Sequence, residues 1–129
     1  MDTLSNMLIM IKNASLAHRD SVVFPHSKLK LAIVECLAAE GYVGAITKKM
    51  KHGRPFVEVA LKYNADKSPK VLEIKRISKP SCRIYYGARD IFPVKNGHGT
   101  LVLSTPKGVM SGNKARKELC GGEALFKIW

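Results

Sequence analysis

The sequence predicts an α+β fold in two parts, an αβαββ unit over residues 1–64 and a β-rich unit with one short helix over residues 65–129. Three observations carry this. Apolar residues recur at helical spacing twice in the first part and only once, briefly, in the second. Alternating strand-like runs follow the second helix and return in short stretches toward the C terminus. Between the parts, Asn64-Ala65-Asp66-Lys67-Ser68-Pro69 gathers turn formers and polar residues, where a boundary is expected.

Leu4, Met7, Leu8 and Ile11 place an amphipathic helix over 3–16, with Asp2 and Thr3 positioned to cap its first turn. Ser21 to Phe24 is short and Val-rich and stops at Pro25, as a strand would. Ser27 reads as the N-cap of a second helix whose apolar face is Leu29, Ile33, Cys36 and Leu37, and Gly41 stands where that helix needs a residue tolerant of positive φ. Tyr42–Thr47 and Phe56–Leu61 read as strands, the latter with Val57, Val59 and Leu61 on one face, and Lys48–Pro55 reads as a basic loop between them. In the second part, Val71–Ile77, Cys82–Tyr85, Thr100–Ser104 and Glu123–Trp129 are strand-like. Turns are expected at Lys79-Pro80, Tyr86-Gly87, Asn96-Gly97 and Pro106 to Gly108. Asn113–Leu119 reads as a helix capped by Ser111 and ended by Gly121.

At 129 residues and 46% hydrophobic, the chain can bury a real core. Its 22 Lys and Arg stand against 10 Asp and Glu, a formal net charge of +12. Such self-repulsion points to a polyanionic partner, although anionic membrane and acidic protein attract the same charge. Residues 1–64 hold nine cations and five carboxylates and residues 65–129 hold thirteen and five, so the second part is the expected docking face. Three cysteines, Cys36, Cys82 and Cys120, are odd in number and lack CxxC spacing, which argues against a disulfide scaffold or zinc ribbon and fits a reducing cytoplasm. No apolar run reaches the roughly 20 residues of a membrane span, and no basic n-region opens a secretory signal.

Enzyme chemistry finds no complete set. Ser104 and Thr105 are the tempting nucleophiles, yet no base and orienter accompany them, which leaves a small hydrolase as the weaker rival. His98, in Asn96-Gly97-His98-Gly99, is better explained as part of a turn. His18, His26 and His52 lack HxxxH or HExxH spacing, so no metal is expected. The glycines match neither GxGxxG nor GxxxxGK[ST], and no cofactor is implied.

Ser104-Thr105-Pro106-Lys107-Gly108-Val109-Met110-Ser111 suits RNA better. Small hydroxyls can donate and accept at base edges or the 2′-OH, Lys107 attracts phosphate, and Gly108 lets backbone come close. A polar hairpin turn explains the same composition equally well. Lys79, Arg83 and Arg89 add cations, and Tyr85 and Tyr86 offer rings on which a base can stack; alternation puts Arg83 and Tyr85 on one face, and covering a sheet edge is the competing reading of Tyr86. Lys114, Arg116 and Lys117 fit phosphate contacts or a solvated helix face. In the first part, Lys28 and Lys30 follow the Ser27 cap, where helix N–H groups also favour anions. Lys12 and Asn13 end the first helix, and there phosphate contact and simple dipole complementation are even readings.

Taken together, Asp2 to Ala14, Ser27-Lys28-Leu29-Lys30, Ile77-Ser78-Lys79-Pro80 to Arg83-Ile84-Tyr85, Leu103-Ser104-Thr105 through Lys107-Gly108-Val109-Met110, and Cys120-Gly121-Gly122-Glu123 resemble the universal small-ribosomal-subunit protein eight family in its bacterial form. The resemblance spans essentially the whole chain. It implies an N-terminal αβαββ domain packed against a mainly antiparallel β C-terminal domain with one short helix. It further implies a cytoplasmic, non-enzymatic subunit of the ribosome that binds the central domain of small-subunit rRNA early in assembly, beside neighbouring ribosomal proteins. In some members the same surface represses ribosomal-protein mRNA, so the chain's own operon mRNA is a further expected partner. By motif position, Ser104, Thr105, Lys107 and Gly108 would face bases and backbone, with Tyr85 and Glu123 lining the same surface and Glu123 orienting a lysine or a sugar hydroxyl. The chain departs from the family pattern at Pro106, where a serine is usual, and at Asn6, Ile9 and Met10, where Asp, Thr and Arg are common. Arg89 is the remaining cation of a segment that is often more basic.

Overall fold

The computed structural model describes residues 3–91 and 99–129, and the chain divides into two compact units, 3–72 and 73–129. The expected Asn96-Gly97 turn, His98, the capping Asp2 and the side chain of Thr3 lie outside the described residues.

In the first unit, α1 (Thr3–Leu16) buries Leu4, Met7, Leu8, Ile11 and Ala14, the stripe its spacing predicts, and it packs on β1 (Ser21–Pro25), which buries Val22 and Phe24. Ser27 caps α2 (Lys28–Ala39) by accepting a hydrogen bond from the Lys30 amide at 3.1 Å, and Gly41 takes φ +87° just beyond the helix. The buried face of α2 is Ile33, Val34 and Leu37, whereas Leu29 is 44% exposed and Cys36 only half-buried. Four-residue steps overshoot a full helical turn by about 40°. The face therefore rotates toward Val34 and leaves Leu29 on its rim.

β2 (Val43–Lys51) and β3 (Arg54–Leu61) form an antiparallel hairpin, and β3 also pairs with β1, giving the order β1-β3-β2. The expected basic loop over 48–55 is instead the end of this hairpin, with Lys49 opposite Phe56, Met50 opposite Pro55 and Lys51 opposite Arg54. Its turn is His52-Gly53, both at positive φ (+52° and +74°). Such a two-residue turn matches the twist of the strands it joins. Lysine-rich composition resembled a loop, but two residues able to turn left-handed are enough to keep the ladder paired to its end. Val57, Val59 and Leu61 face the core as their alternation predicts.

In the second unit the sheet order is β4-β8-β6-β7, with β5 also on β8. These strands are β4 (Ile74–Arg76), β5 (Tyr85–Tyr86), β6 (Thr100–Thr105), β7 (Gly108–Ser111) and β8 (Gly122–Ile128), all antiparallel to their partners. The expected strand Val71–Ile77 contracts to β4, and Cys82–Tyr85 gives way to β5, which shares only Tyr85 with it and takes in Tyr86, expected in a turn. Both pair with β8, β4 with its C-terminal half and β5 with its N-terminal end, and the chain between them turns at Lys79–Cys82. The segment 108–111, for which no strand was expected, forms one. A core of Ile91, Leu101, Leu103, Met110, Ala115 and Ala124 lies under the sheet, with Tyr86 and Trp129 packed against it.

Ser111 caps α3 (Gly112–Lys117) through the Lys114 amide. The helix does not run to Gly121. Cys120 donates its amide to Ala115 O and Leu119 to Arg116 O, the paired closure of a Schellman motif, with Leu119 at φ +55° in the position that glycine usually fills.

Candidate nucleic-acid interface

Gly121 and Gly122 set the geometry of the surface. A Cβ on Gly121 would stand 2.5 Å from Tyr86 O, and one on Gly122 would stand 2.1 Å from Ser104 O. Only glycine lets β8 start between β5 and β6 at this separation. With β8 seated there, Tyr85 pairs with Glu123, Glu123 with Ser104, and Ser104 with Val109. Directly opposed residues share a face, so a single row runs Tyr85, Glu123, Ser104, Val109. Tyr85 is 68% exposed, while Tyr86, on the opposite face, is partly buried against the core.

A hydrogen-bond network holds the row from one side. Ser78, fully buried, accepts from the Ile84 amide at 3.2 Å and donates to Glu123 Oε2. Arg83 Nη1 donates to the same carboxylate at 2.9 Å, and Arg76 Nε donates to Ser78 O. Burial works against the Glu123 charge, but the Ser78 and Arg83 hydrogen bonds and the positive charges of Arg83 and Arg76 outweigh it and hold the carboxyl below its ordinary range. Glu123 thus orients an arginine, where a lysine or sugar hydroxyl was expected. Ser78 and Arg76, to which sequence reasoning gave no role, are the joints of this network. Nothing in their local pattern marks them, because Ser78 acts through a carboxylate 45 positions away.

The turn between β6 and β7 is Pro106-Lys107, closed by Thr105 opposite Gly108. Neither central residue has positive φ, while Gly108 has φ +119°. This is the pattern of a type I turn followed by a left-handed glycine, and Pro suits its first central position. Thr105 is 8% exposed, and its hydroxyl donates to Gly108 O at 2.7 Å and accepts from the Lys107 amide at 3.2 Å. One acceptor lone pair is left over. Pro106, Lys107 and Gly108 are exposed.

The structure therefore brings Tyr85, Glu123 and Ser104 into one row, with Arg83 hydrogen-bonded to Glu123, beside the turn that carries Thr105, Lys107 and Gly108. Lys79 is exposed on the Lys79–Cys82 turn, and Arg89 on the short 3₁₀ turn Ala88–Asp90, where Asp90 accepts from the Gly87 amide. Lys114, Arg116 and Lys117 are exposed on α3. Lys12, Asn13, Lys28 and Lys30 belong to the first unit. There the Lys30 amide is already used by Ser27, and Asn13 lines an open groove of about 490 Å³ with Ile9, Met10 and Val23. Among the described residues no group of three His, Cys, Asp or Glu could hold a metal, and no helix is long and apolar enough to cross a membrane.

The family model described as Ribosomal protein S8 matches residues 2–129. The chain is 48% identical over 124 residues to a protein of Dechloromonas aromatica named small ribosomal subunit protein uS8, covering 96% of this chain and 94% of that protein. It is 42% identical over 128 residues to the protein of the same name from Mycoplasmopsis agalactiae, covering 99% and 97%. The protein of that name from Caulobacter sp. is 44% identical over 129 residues, covering 99% and 97%.

Proposed function

The chain belongs to the ribosomal protein S8 family, and on that premise we propose that it is a structural constituent of the small ribosomal subunit that binds the central domain of small-subunit rRNA through the row Tyr85, Glu123, Ser104 and the adjoining turn. The family is structural, and the chain is not an enzyme. Its place of work is the cytoplasm, as part of the ribosome.

The observation that carries the binding reading is the rigid pairing of an exposed aromatic ring with a small hydroxyl across Glu123. Tyr85 offers a face on which an unpaired base stacks. Ser104 presents a hydroxyl in the same row, close to the exposed backbone at Gly108, Lys107 neutralises a flanking phosphate, and Arg83, paired with Glu123, holds the row in place. Thr105 serves this surface chiefly by holding the turn, and its remaining lone pair is the contact it can offer. Lys79 and Arg89 lie on neighbouring turns of the same unit and extend the cationic rim. In the first unit, Lys12, Asn13, Lys28 and Lys30 add phosphate and sugar contacts. The 2′-OH and the irregular shape of a distorted helix are the features such a surface reads. An mRNA hairpin of that shape, including the chain's own operon mRNA, would compete for it.

Tyr85→Ala tests this. Loss of stacking should weaken binding to a central-domain rRNA fragment by about 1–3 kcal/mol and leave binding to a fully paired hairpin nearly unchanged, measured by filter binding at fixed salt. Equal weakening on both RNAs would contradict a base-stacking role.

A further inference from the structure

The end of the β2–β3 hairpin has no part in the surface described above. Residues 48–54 read Lys-Lys-Met-Lys-His-Gly-Arg, with four cations and no carboxylate. Of the nine cations in residues 1–64, the five outside this segment are matched in number by five carboxylates. The whole positive excess of that half therefore sits on seven residues.

Their arrangement is unfavourable for folding alone. Lys51 and Arg54 are directly opposite across the ladder, and like charges so placed destabilise a sheet. Lys49 forms an ion pair with Glu58 at 3.0 Å. Among the described residues no carboxylate bridges Lys48, Lys51 or Arg54. Every residue from Thr47 to Pro55 is exposed, so both faces of the ribbon are open to solvent, and Met50 near the tip is 70% exposed. The His52-Gly53 turn keeps the ribbon paired to its end, which fixes the spacing of its charges.

We infer that this hairpin is a second RNA-binding element, one that lies along the phosphate backbone of duplex RNA and neutralises it through Lys48, Lys51 and Arg54 without reading sequence. A paired ribbon holds cations on both of its faces, as a bridge between two phosphate strands requires. Met50 gives the tip an apolar edge to set against sugars in the wide, shallow minor groove of an A-form helix. This inference rests on the rRNA-binding reading of the preceding section.

The test compares the full chain with the triple variant Lys48→Gln, Lys51→Gln, Arg54→Gln, and with a control in which Lys62, Lys67 and Lys70, exposed residues of the same unit, become Gln. Affinity for the central-domain rRNA is measured over a salt series. The slope of log affinity against log salt should become shallower by about 2 to 3 in the hairpin variant, at roughly 0.7–0.9 for each phosphate that is no longer neutralised, and change little in the control. The hairpin variant should lose affinity for cognate and fully paired RNA by the same factor. Its thermal midpoint should be unchanged or raised, because opposed charges have been removed. A photoreactive side chain in place of Met50 should cross-link to rRNA in assembled subunits. An unchanged slope, an equal change in the control, or cross-links only to protein would overturn the inference. If the unaltered chain itself shows no salt-dependent affinity, the rRNA-binding reading fails as well, which separates the two failures.

Discussion

The row at Tyr85 and the tip at Lys51 are both proposed RNA contacts, yet they are built in opposite ways. At the row, the charged groups are tied to one another: Glu123 to Arg83 and to Ser78, and Ser78 to Arg76 and the Ile84 amide. Two glycines fix the separation of the strands that carry it. At the hairpin end, charge is concentrated and left facing its own kind. Reading the shape of an RNA requires groups that stay in place when the ligand is absent, so side-chain charge is committed to rigidity. Neutralising phosphate requires free charge, and its geometry need only follow a backbone. Substitutions at the row should therefore alter stability and selectivity together, whereas substitutions at the tip should lower electrostatic affinity without loss of stability or selectivity.

The sharpest break in that contrast is Gly122→Ala. The added methyl would overlap Ser104 O, and relief requires β8 to move off β6, at about 3 kcal/mol of stability. Chemical denaturation should show that loss together with loss of selectivity for the cognate RNA. A variant of unchanged stability would mean that the close approach of β8 and β6 is not fixed. Thr105→Ala comes next. It removes two hydrogen bonds within the turn, so about 1 kcal/mol of stability should go, with RNA affinity falling by a similar factor on cognate and fully paired RNA. A selective loss on cognate RNA alone would assign Thr105 a direct base contact.

The smallest effect is one of pH. Because the Glu123 carboxyl is held below its ordinary value near 4.5, its contribution to stability is complete above that value and is lost as pH falls toward the folded-state pKa. The difference in thermal midpoint between the chain and Glu123→Gln should be constant from neutral pH to about 5 and close at lower pH. A gap that widens on acidification would show that the carboxylate is not stabilised by its partners.

What the sequence revealed follows the same division. Helices were legible because their stripes depend on local spacing: Leu4, Met7, Leu8 and Ile11 are buried as predicted, and Ser27 and Ser111 cap where they were expected. The limits of β4 and β5 were not, since both are set by pairing with β8, a strand 36 or more positions further along the chain. The hairpin end was misread because lysines are common in loops, and only the positive φ of both His52 and Gly53 shows why the ladder continues. Family resemblance placed Ser104, Tyr85 and Glu123 on one surface. It gave no role to Ser78, whose importance lies in a buried hydroxyl that meets a distant carboxylate. Gly121 looked like a helix stop, but its physical task is to let β8 approach Tyr86, while Leu119 closes the helix in its place.

The central claim, that this chain is built into the small ribosomal subunit through the Tyr85 row, is tested most directly by sedimentation of cell extracts containing either the chain or its Tyr85→Ala variant. The chain is expected to migrate with small subunits and their precursors, and the variant to shift measurably toward the free fractions. A chain found almost wholly in the free fractions would contradict the account.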